Sequence, residues 1–255
     1  MRVVEFLGVP GSGKTTLAEA LPRAIPGALS LDDGARMSLR HGGADGVTRL
    51  AARLTRSSDS RLWSMAYARS SDRMAALVRF VSARPALMER VVAALGSRAD
   101  RDIRPDLVLG WVVNLMARYQ LATEDARASW LVVDEGFAQR AVALFAAGYE
   151  PSDDGEVREY LTQSPVPDVL VVVETPLEVC TKRLGHRGWS ERLVDVGAPA
   201  QRRFLEAAET IVSRVDAAWA GRGVEVLRVS GEAPPSDSIS LIAATLAPRA
   251  NRGPG

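Results

Sequence analysis

The sequence predicts an α/β protein with five parallel strands in one doubly wound sheet and a helical cap between the second and third strands. Short runs that are apolar on consecutive residues recur between longer helical stretches, as is typical of strands buried on both faces. A glycine-rich turn joins the first of these runs to a helix. The length of 255 residues fits one large domain that carries an insertion.

The predicted strands are five apolar runs rich in β-branched residues. The second run, "GALSL", has a weak pattern, whereas "RVVEFL", "WLVVDE", "DVLVVVE" and "VEVLRV" are clear. In chain order the five runs span 2–7, 27–31, 130–135, 168–174 and 224–229.

The stretch between the second and third runs is the predicted insertion. It has roughly 95 residues without strand character, which is too long for a loop in a compact domain. Pro85 and Pro105 mark breaks between its helices. The helices are expected at about 46–56, 60–83, 86–98 and 105–122, as a cap over the C-terminal edge of the sheet.

The domain organisation follows from these elements. Residues 1–246 are expected to form a single domain, with the insertion at about 35–128 and a short helix near 154–163. The tail 247–255 lacks apolar residues of the kind that build a core, and we expect it to be disordered.

The composition excludes several classes of protein. Lys and Arg total 32 against 31 for Asp and Glu, so the chain has no general basic field for binding nucleic acid. The single cysteine, Cys180, rules out a disulfide framework and a cysteine-based zinc cluster. No signal peptide and no membrane span are expected, which makes the cytoplasm the default location.

The turn after the first strand predicts a site for a nucleotide with Mg²⁺. It matches the pattern G-x-x-x-x-G-K-[ST] in full, between a predicted strand and a predicted helix. Backbone N–H groups would surround a phosphate, Lys14 would bridge the β- and γ-phosphates, and the Thr15 hydroxyl would bind Mg²⁺. The residues expected to hold the nucleotide here are Gly8, Pro10, Gly11, Ser12, Gly13, Lys14, Thr15 and Thr16.

Two acids follow the third strand, where ligands gather in an open parallel sheet. Asp134 would bind the metal, and Glu135 would accept a proton from an attacking oxygen. If that oxygen belongs to water the protein is an ATPase, and if it belongs to a substrate hydroxyl the protein is a kinase. The acid pair alone does not choose between them.

A basic segment follows the fourth strand. Thr175 is expected to cap a helix that has Pro176 in its first turn, runs to about Leu184 and breaks at Gly185 and Gly188. Cations on such a segment would close over a transferring phosphoryl group and exclude water. The predicted lid spans about 182–193 and carries Lys182, Arg183, Arg187 and Arg192.

In this order of motifs the chain resembles the P-loop small-molecule kinases, and in outline the thymidylate kinase and deoxynucleoside kinase branch. The resemblance covers about 1–34, 128–147 and 168–246. It implies the strand order 2-3-1-4-5, a lid with the pattern R-x-x-x-R and a loop that cradles adenine. It also implies that homodimers form through helices of the insertion.

This resemblance assigns further residues to the phosphoryl donor. Arg183 and Arg187 match the lid pattern and would stabilise the transferring group. Gly231 and Pro234 lie in "VSGEAPPSDSI", which is similar to the adenine loop. One departure concerns the acceptor: thymidylate kinases carry Asp-Arg after the third strand, whereas this chain has Asp134-Glu135. An arginine that would hold an acceptor phosphate is therefore missing from that position.

The acceptor site is expected between the cap and the strand ends. Asp33 is similar in position to an acid that orients the acceptor in shikimate-type kinases, so Asp33 and Glu135 are alternative bases. Arg36 would bind an anionic acceptor. Side chains of the last cap helix would line the cleft, namely Trp111, Asn114, Arg118 and Tyr119.

Together these features predict an ATP-dependent kinase. The γ-phosphoryl group would pass to a hydroxyl, or a phosphate, of a nucleoside, nucleotide, sugar or natural-product alcohol. The alternative is a P-loop ATPase or nucleotide switch that acts on a protein partner.

Overall fold

The structure, a computed structural model, describes residues 1–41, 46–55, 61–97, 104–124, 128–146, 151–189, 193, 194 and 196–247. Its sheet has five strands that all pair in parallel, in the order β2-β3-β1-β4-β5. This confirms the predicted fold class and strand order. The strands are β1 (Arg2–Leu7), β2 (Ala28–Ser30), β3 (Trp130–Val133), β4 (Val169–Glu174) and β5 (Glu225–Ser230).

The three central strands are the ones with the clearest apolar pattern. Val4 of β1 pairs with Val132 of β3 on one side and with Val169 of β4 on the other. Every residue of β3 is buried, and so are five of the six residues of β1 and of β4. The weakly predicted run forms β2, an edge strand of three residues, which needs less apolar sequence than a central strand.

Helices connect and cover the strands. In chain order they are α1 (Lys14–Ala24), α2 (Leu31–His41), α3 (Gly46–Leu54), α4 (Arg61–Arg69), α5 (Ser71–Ala83), α6 (Pro85–Gly96), α7 (Pro105–Glu124), α8 (Phe137–Phe145), α9 (Asp154–Gln163), α10 (Leu177–Arg187), α11 (Ala198–Ala220) and α12 (Pro235–Leu246). Helices α2 to α7 all lie between β2 and β3, so the predicted insertion is helical in its described residues.

One predicted helix of the insertion was wrong, whereas the predicted break at Pro85 is confirmed. The helix expected over 60–83 is two helices, because the Ser70 side chain accepts a hydrogen bond from the Asp72 N–H and caps α5. Pro85 lies in the first turn of α6, a position that needs no N–H donor. Residue 56, residue 98 and the tail 248–255, on which other predictions fall, lie outside the described residues.

The alternation of side chains along β1 builds the two faces of the sheet. Val4 and Phe6 pack in a core with α1 and α12, whereas Val3 and Leu7 pack in a core with α8 and α11. Glu5 shares the second face and is a buried carboxyl group among apolar neighbours. The sheet is therefore covered on both sides, as a doubly wound fold requires.

The insertion has a small core of its own, built by helices α2, α3, α4, α5 and α7. Trp63 and Tyr67 of α4 pack there with ring centroids 5.4 Å apart. Helix α7 also runs past the strand ends, which brings Trp111 and Arg118 to the edge of the sheet. In the part of the chain that the structure describes, no helix is long and apolar enough to cross a bilayer.

Candidate active site

The loop between β1 and α1 has the geometry of a phosphate-binding loop. Gly11 and Gly13 have φ angles of 88° and 104°, a conformation that favours glycine. Gly8 has no space for a side chain, because a Cβ there would lie 2.7 Å from the Val173 carbonyl oxygen. The loop is thus packed against the end of β4 and leads directly into the N-terminus of α1.

Lys14 lies at the base of this loop and is only 6 % exposed. Its Nζ donates hydrogen bonds to the carbonyl oxygens of Gly8, at 2.9 Å, and Val9, at 3.1 Å. Burial lowers the pKa of Lys14 to about 8, and the nearby carboxylates of Asp134 and Glu135 oppose that shift. A buried ammonium of this kind is stabilised by negative charge, which phosphate oxygens would supply.

The end of β3 brings Asp134 close to the Thr15 hydroxyl. Burial raises the pKa of the Asp134 carboxyl, and a hydrogen bond with Thr15 opposes the shift. The Oδ1 atom of Asp134 is buried and has no hydrogen-bond partner among the described residues. A hydroxyl beside an unsatisfied carboxylate oxygen is a donor set that fits Mg²⁺, whose remaining ligands are commonly phosphate oxygens and water.

A cavity of about 1010 Å³ lies in front of the loop. Its wall is built by the phosphate-binding loop, α8, α10, the start of α11 and the turn after β5. The predicted nucleotide and lid residues that line it are Pro10, Gly11, Gly13, Lys14, Thr15, Thr16, Arg183, Arg187, Gly231 and Pro234. These predicted residues therefore share one space, whereas Gly8 and Ser12, also predicted to hold the nucleotide, are not among the described residues that line it.

The two predicted lid arginines have different environments in this cavity. Arg183 donates to the Ser12 carbonyl at 3.2 Å and to the Gly231 carbonyl at 2.8 Å. It therefore joins α10 to the phosphate-binding loop and to the turn after β5. Arg187, one turn later in α10, is exposed on the cavity wall, and its charge contributes to the lowered pKa of Lys14.

The start and end of the lid helix differ from the prediction. Pro176 is the N-cap of α10, while the Thr175 hydroxyl donates to the Ser12 carbonyl at 2.9 Å and so supports the phosphate-binding loop. The helix continues through Gly185 and ends at Gly188, whose φ is 97°. Residues 190–192, which include the predicted lid residue Arg192, lie outside the described residues.

The turn after β5 packs tightly against the same loop. A Cβ on Gly231 would overlap the Ser12 carbonyl oxygen and the Thr175 hydroxyl, so only glycine fits there. Residues 230–235 line the large cavity from this side. The segment expected to cradle adenine therefore borders the predicted phosphate site.

A second cavity of about 300 Å³ lies between α1, the ends of β2 and β3, and α7. Trp111, Glu135 and Arg140 line both cavities, so the two spaces adjoin at these side chains. The other lining residues include Asp32, Asn114 and Arg118. Arg118 and Asp32 form an ion pair at 2.6 Å across this cavity's wall.

Asp33 and Arg36 of α2 make contacts away from the two cavities. Asp33 accepts a hydrogen bond from the Ser30 hydroxyl at 3.0 Å and lies 3.4 Å from Arg36. Arg36 is buried and donates to the Thr55 carbonyl at 3.0 Å. Neither Asp33 nor Arg36 is among the described residues that line the two cavities. The acid that the structure brings to the cleft is instead the neighbouring Asp32.

Arg140 is a site residue that the motif analysis missed. It lies in the first turn of α8, and its guanidinium donates to the Glu135 carboxylate at 2.8 Å. The guanidinium carbon lies 5.6 Å from the ring centroid of Trp111, within the range of a cation–π contact. A basic residue one turn into the helix that follows the strand-end acids is the signal that would have identified it.

Glu5 also lies near the site, although it belongs to no sequence motif. Its carboxylate accepts the backbone N–H groups of Ala138 and Gln139 at the N-terminus of α8. Burial outweighs these donors and raises the pKa of Glu5 to about 8. The Gln139 side chain in turn accepts the Gly8 N–H at 3.2 Å. The start of α8 is therefore tied to β1 and to the phosphate-binding loop.

The sheet order, the loop between β1 and α1, and the acids after β3 define a protein of the P-loop fold. No protein-family model matches the chain, and no curated protein is significantly similar to it.

Two solved structures of deoxyadenosine kinase from M. mycoides are similar in arrangement. One has bound dATP, at 11 % identity and a TM-score of 0.46, and the other has the products dCMP and a flexible dCDP, at 12 % and 0.43. Each comparison covers 96 % of this chain and 98 % of that kinase chain.

Proposed function

We propose that this protein is a small-molecule kinase, which transfers the γ-phosphoryl group of Mg²⁺-ATP to an oxygen of an organic acceptor. One observation carries the proposal: a large cavity at the phosphate-binding loop adjoins a second cavity at a carboxylate and an arginine, Glu135 and Arg140. Such a site has room for two ligands and places an acid–base group where they meet. A hydrolase needs no second cavity for an organic ligand.

The donor half of the site uses the loop and its neighbours. Backbone N–H groups of residues 8–13, the N-terminus of α1 and the Lys14 ammonium would bind the phosphates. Gly231 and Pro234 would border the base. Thr15 and Asp134 would hold Mg²⁺, which when bound neutralises charge on the phosphate oxygens.

The acceptor half lies where the two cavities adjoin. We assign the base to Glu135 rather than to Asp33, because Glu135 lines both cavities and Asp33 is engaged with Ser30 away from them. Glu135 would accept the proton of the attacking hydroxyl as its oxygen bonds to the γ-phosphorus, while the bond from that phosphorus to the bridging oxygen breaks and ADP leaves. Trp111 and Arg118, with Asp32, would contact the body of the acceptor.

The lid would protect and stabilise the transferring group. Arg187, exposed on the cavity wall, is free of the backbone contacts that engage Arg183 and would stabilise charge on the phosphoryl oxygens. Arg183 would instead hold α10 on the loop. Closure of α10 over the cavity would exclude water, which separates transfer to an acceptor from hydrolysis.

The competing function is ATP hydrolysis coupled to a protein partner. The acids at the end of β3 are equally suited to activating water, and Glu135 is half-exposed. That function leaves the second cavity and its ion pair of Asp32 with Arg118 without a role. The kinase accounts for both cavities.

The test is acceptor phosphorylation. The protein is incubated with Mg²⁺-ATP and pooled nucleosides, nucleotides, sugars and alcohols, and mass spectrometry follows products heavier by one phosphoryl group. Lys14→Ala, treated in the same way, provides the blank. A product that needs the wild-type chain supports the proposal. If every pool gives hydrolysis alone, and only added protein stimulates it, the kinase assignment is wrong.

A further inference from the structure

The two neighbouring acids after β3 have different surroundings. Asp134 is half-buried beside Thr15, and its Oδ1 atom is buried without a hydrogen-bond partner among the described residues. Glu135 has a half-exposed side chain and accepts a hydrogen bond from Arg140 at 2.8 Å. Adjacent carboxylates in contrasting environments are typical of acids that take separate roles in one reaction.

Arg140 itself is unusually buried for an arginine at a cavity wall. Its side chain is 13 % exposed, and it lies between the carboxylate of Glu135 and the ring of Trp111. Its Nε is buried and has no hydrogen-bond partner in the described chain. Leaving a buried donor unpaired costs stability, so packing alone does not explain why an arginine is kept there.

The position of Arg140 between the two cavities indicates why an arginine is buried there. It lines the large cavity and the second cavity, as do Glu135 and Trp111. The start of α8, which carries it, is held by Glu5 through the N–H groups of Ala138 and Gln139. The start of α8 is therefore held in place, and from it the Arg140 guanidinium reaches the Glu135 side chain in the preceding turn.

We propose that Arg140 is the positioning residue that aims the Glu135 carboxylate at the acceptor hydroxyl. This inference rests on the proposed function and extends it. A planar guanidinium restrains a carboxylate in direction as well as in distance, which a lysine ammonium does not do. Without that restraint the half-exposed Glu135 side chain would turn into solvent, and the hydroxyl would attack without an aligned base.

The substitution Arg140→Gln tests this role. A base displaced by about 1 Å costs about 100-fold in rate, so we expect kcat to fall by about that factor. The KM for ATP should stay within about threefold, because the donor is held by the loop around Lys14. An Arg140→Gln enzyme with normal kcat, or with a loss confined to KM for ATP, would overturn the inference.

Non-additivity separates positioning from an independent contribution. If Arg140 acts through Glu135, adding Arg140→Gln to Glu135→Gln should lower kcat by less than about threefold beyond the single Glu135 variant. If the two losses multiply instead, Arg140 does not act through this carboxylate.

Three further variants guard against a merely structural effect. Adding millimolar guanidinium should restore part of the kcat of Arg140→Ala, and Arg140→Lys should retain less activity than the rescued alanine variant. Arg79→Gln, which breaks an ion pair with Glu124 on the surface, is the matched control and should keep the wild-type kcat. Absence of rescue in a folded Arg140→Ala enzyme would contradict the inference.

Failure of this inference is distinguishable from failure of the proposed function. If the wild-type protein phosphorylates no acceptor, the kinase assignment falls. If it does phosphorylate one and the Arg140 variants behave as wild type, only the role of Arg140 falls.

Discussion

Lys14 is a charged side chain that the fold buries and surrounds with backbone carbonyl oxygens. Burying such a charge lowers the free energy of unfolding. A phosphate ligand offsets this loss, because it supplies the opposite charge. Arg187 differs, because it is exposed and meets the same site from the lid helix. Removing either cation should therefore have a different effect on ATP binding and on turnover.

We expect Lys14→Ala to abolish phosphoryl transfer and to weaken ATP binding, because it removes the cation at the base of the loop. Arg187→Ala should lower kcat by about 10³-fold and leave ATP affinity nearly unchanged, since its contact forms with the transferring group. Steady-state kinetics and calorimetric titration with ATP measure the two effects. Normal turnover in Arg187→Ala would show that the lid assignment is wrong.

Glu5 makes the stability of the protein depend on pH. Its pKa is about 8 in the folded chain against an ordinary value of 4.5. Between these values the folded state holds a proton that the unfolded state has released, so the free energy of unfolding falls as pH rises. The slope is at most about 1.4 kcal/mol per pH unit.

The substitution Glu5→Gln should flatten that slope, because a glutamine has no proton to lose. Urea denaturation of both proteins at pH 5.5, 6.5 and 7.5 measures it as the difference between their unfolding free energies. Asp134, whose pKa is also raised, remains in both proteins and cancels from the difference. Parallel pH dependences in the two proteins would contradict the account of Glu5.

At this scale the sequence predicts residues inside motifs and misses residues that act through packing. The pattern G-x-x-x-x-G-K-[ST] predicts roles for Lys14 and Thr15, because the glycines shape the turn and the lysine and hydroxyl that follow suit phosphate and Mg²⁺. Glu5 and Arg140 belong to no motif, and their roles depend on how α8 docks on β1. Asp33 was expected at the acceptor, but Asp32 lines the second cavity instead. Which of the two faces the cavity depends on the phase of α2, and a strand of three residues leaves that phase undetermined.

Among the elements, α8 has the most constrained start. Gly136 is its N-cap, and the Glu5 carboxylate occupies the place where a Cβ would stand. The helix cannot move away without losing the contacts from Glu5 and from Gln139 to Gly8. The geometry of Arg140 depends on that start.

Gly136→Ala should therefore destabilise the protein by about 1–3 kcal/mol through overpacking. Gly110→Ala is the matched control, since a Cβ at this exposed position in α7 meets nothing within 4 Å. There the change should stabilise by up to about 1 kcal/mol, as alanine favours helix. Urea denaturation midpoints compare the two, and equal effects would contradict the packing described here.

The sequence predicts elements best where one pattern dominates. The apolar runs of β1, β3 and β4 and the capped helix α9 are located nearly to the residue. The lid helix α10 was expected to break at Gly185, yet an isolated glycine costs a helix only about 1 kcal/mol, and neighbouring contacts outweigh it.

At the scale of the whole molecule, the crossover connections bring distant segments to one edge of the sheet. The loop after β1, the acids after β3, the lid after β4 and the turn after β5 are far apart in sequence and line adjoining cavities. The strand order was predicted from resemblance, since apolar runs alone do not state which strands are neighbours. The packing of α2 to α7 could not be predicted, because their amphipathic patterns do not specify partners.

The proposed kinase delivers the γ-phosphoryl group to an organic acceptor rather than to water. The most direct measurement is the amount of inorganic phosphate released for each ADP formed, with γ-labelled ATP and a saturating acceptor from the pools described above. For a kinase we expect a ratio far below one, with the missing label on the acceptor. A ratio of one with every acceptor, and no label outside inorganic phosphate, would contradict it.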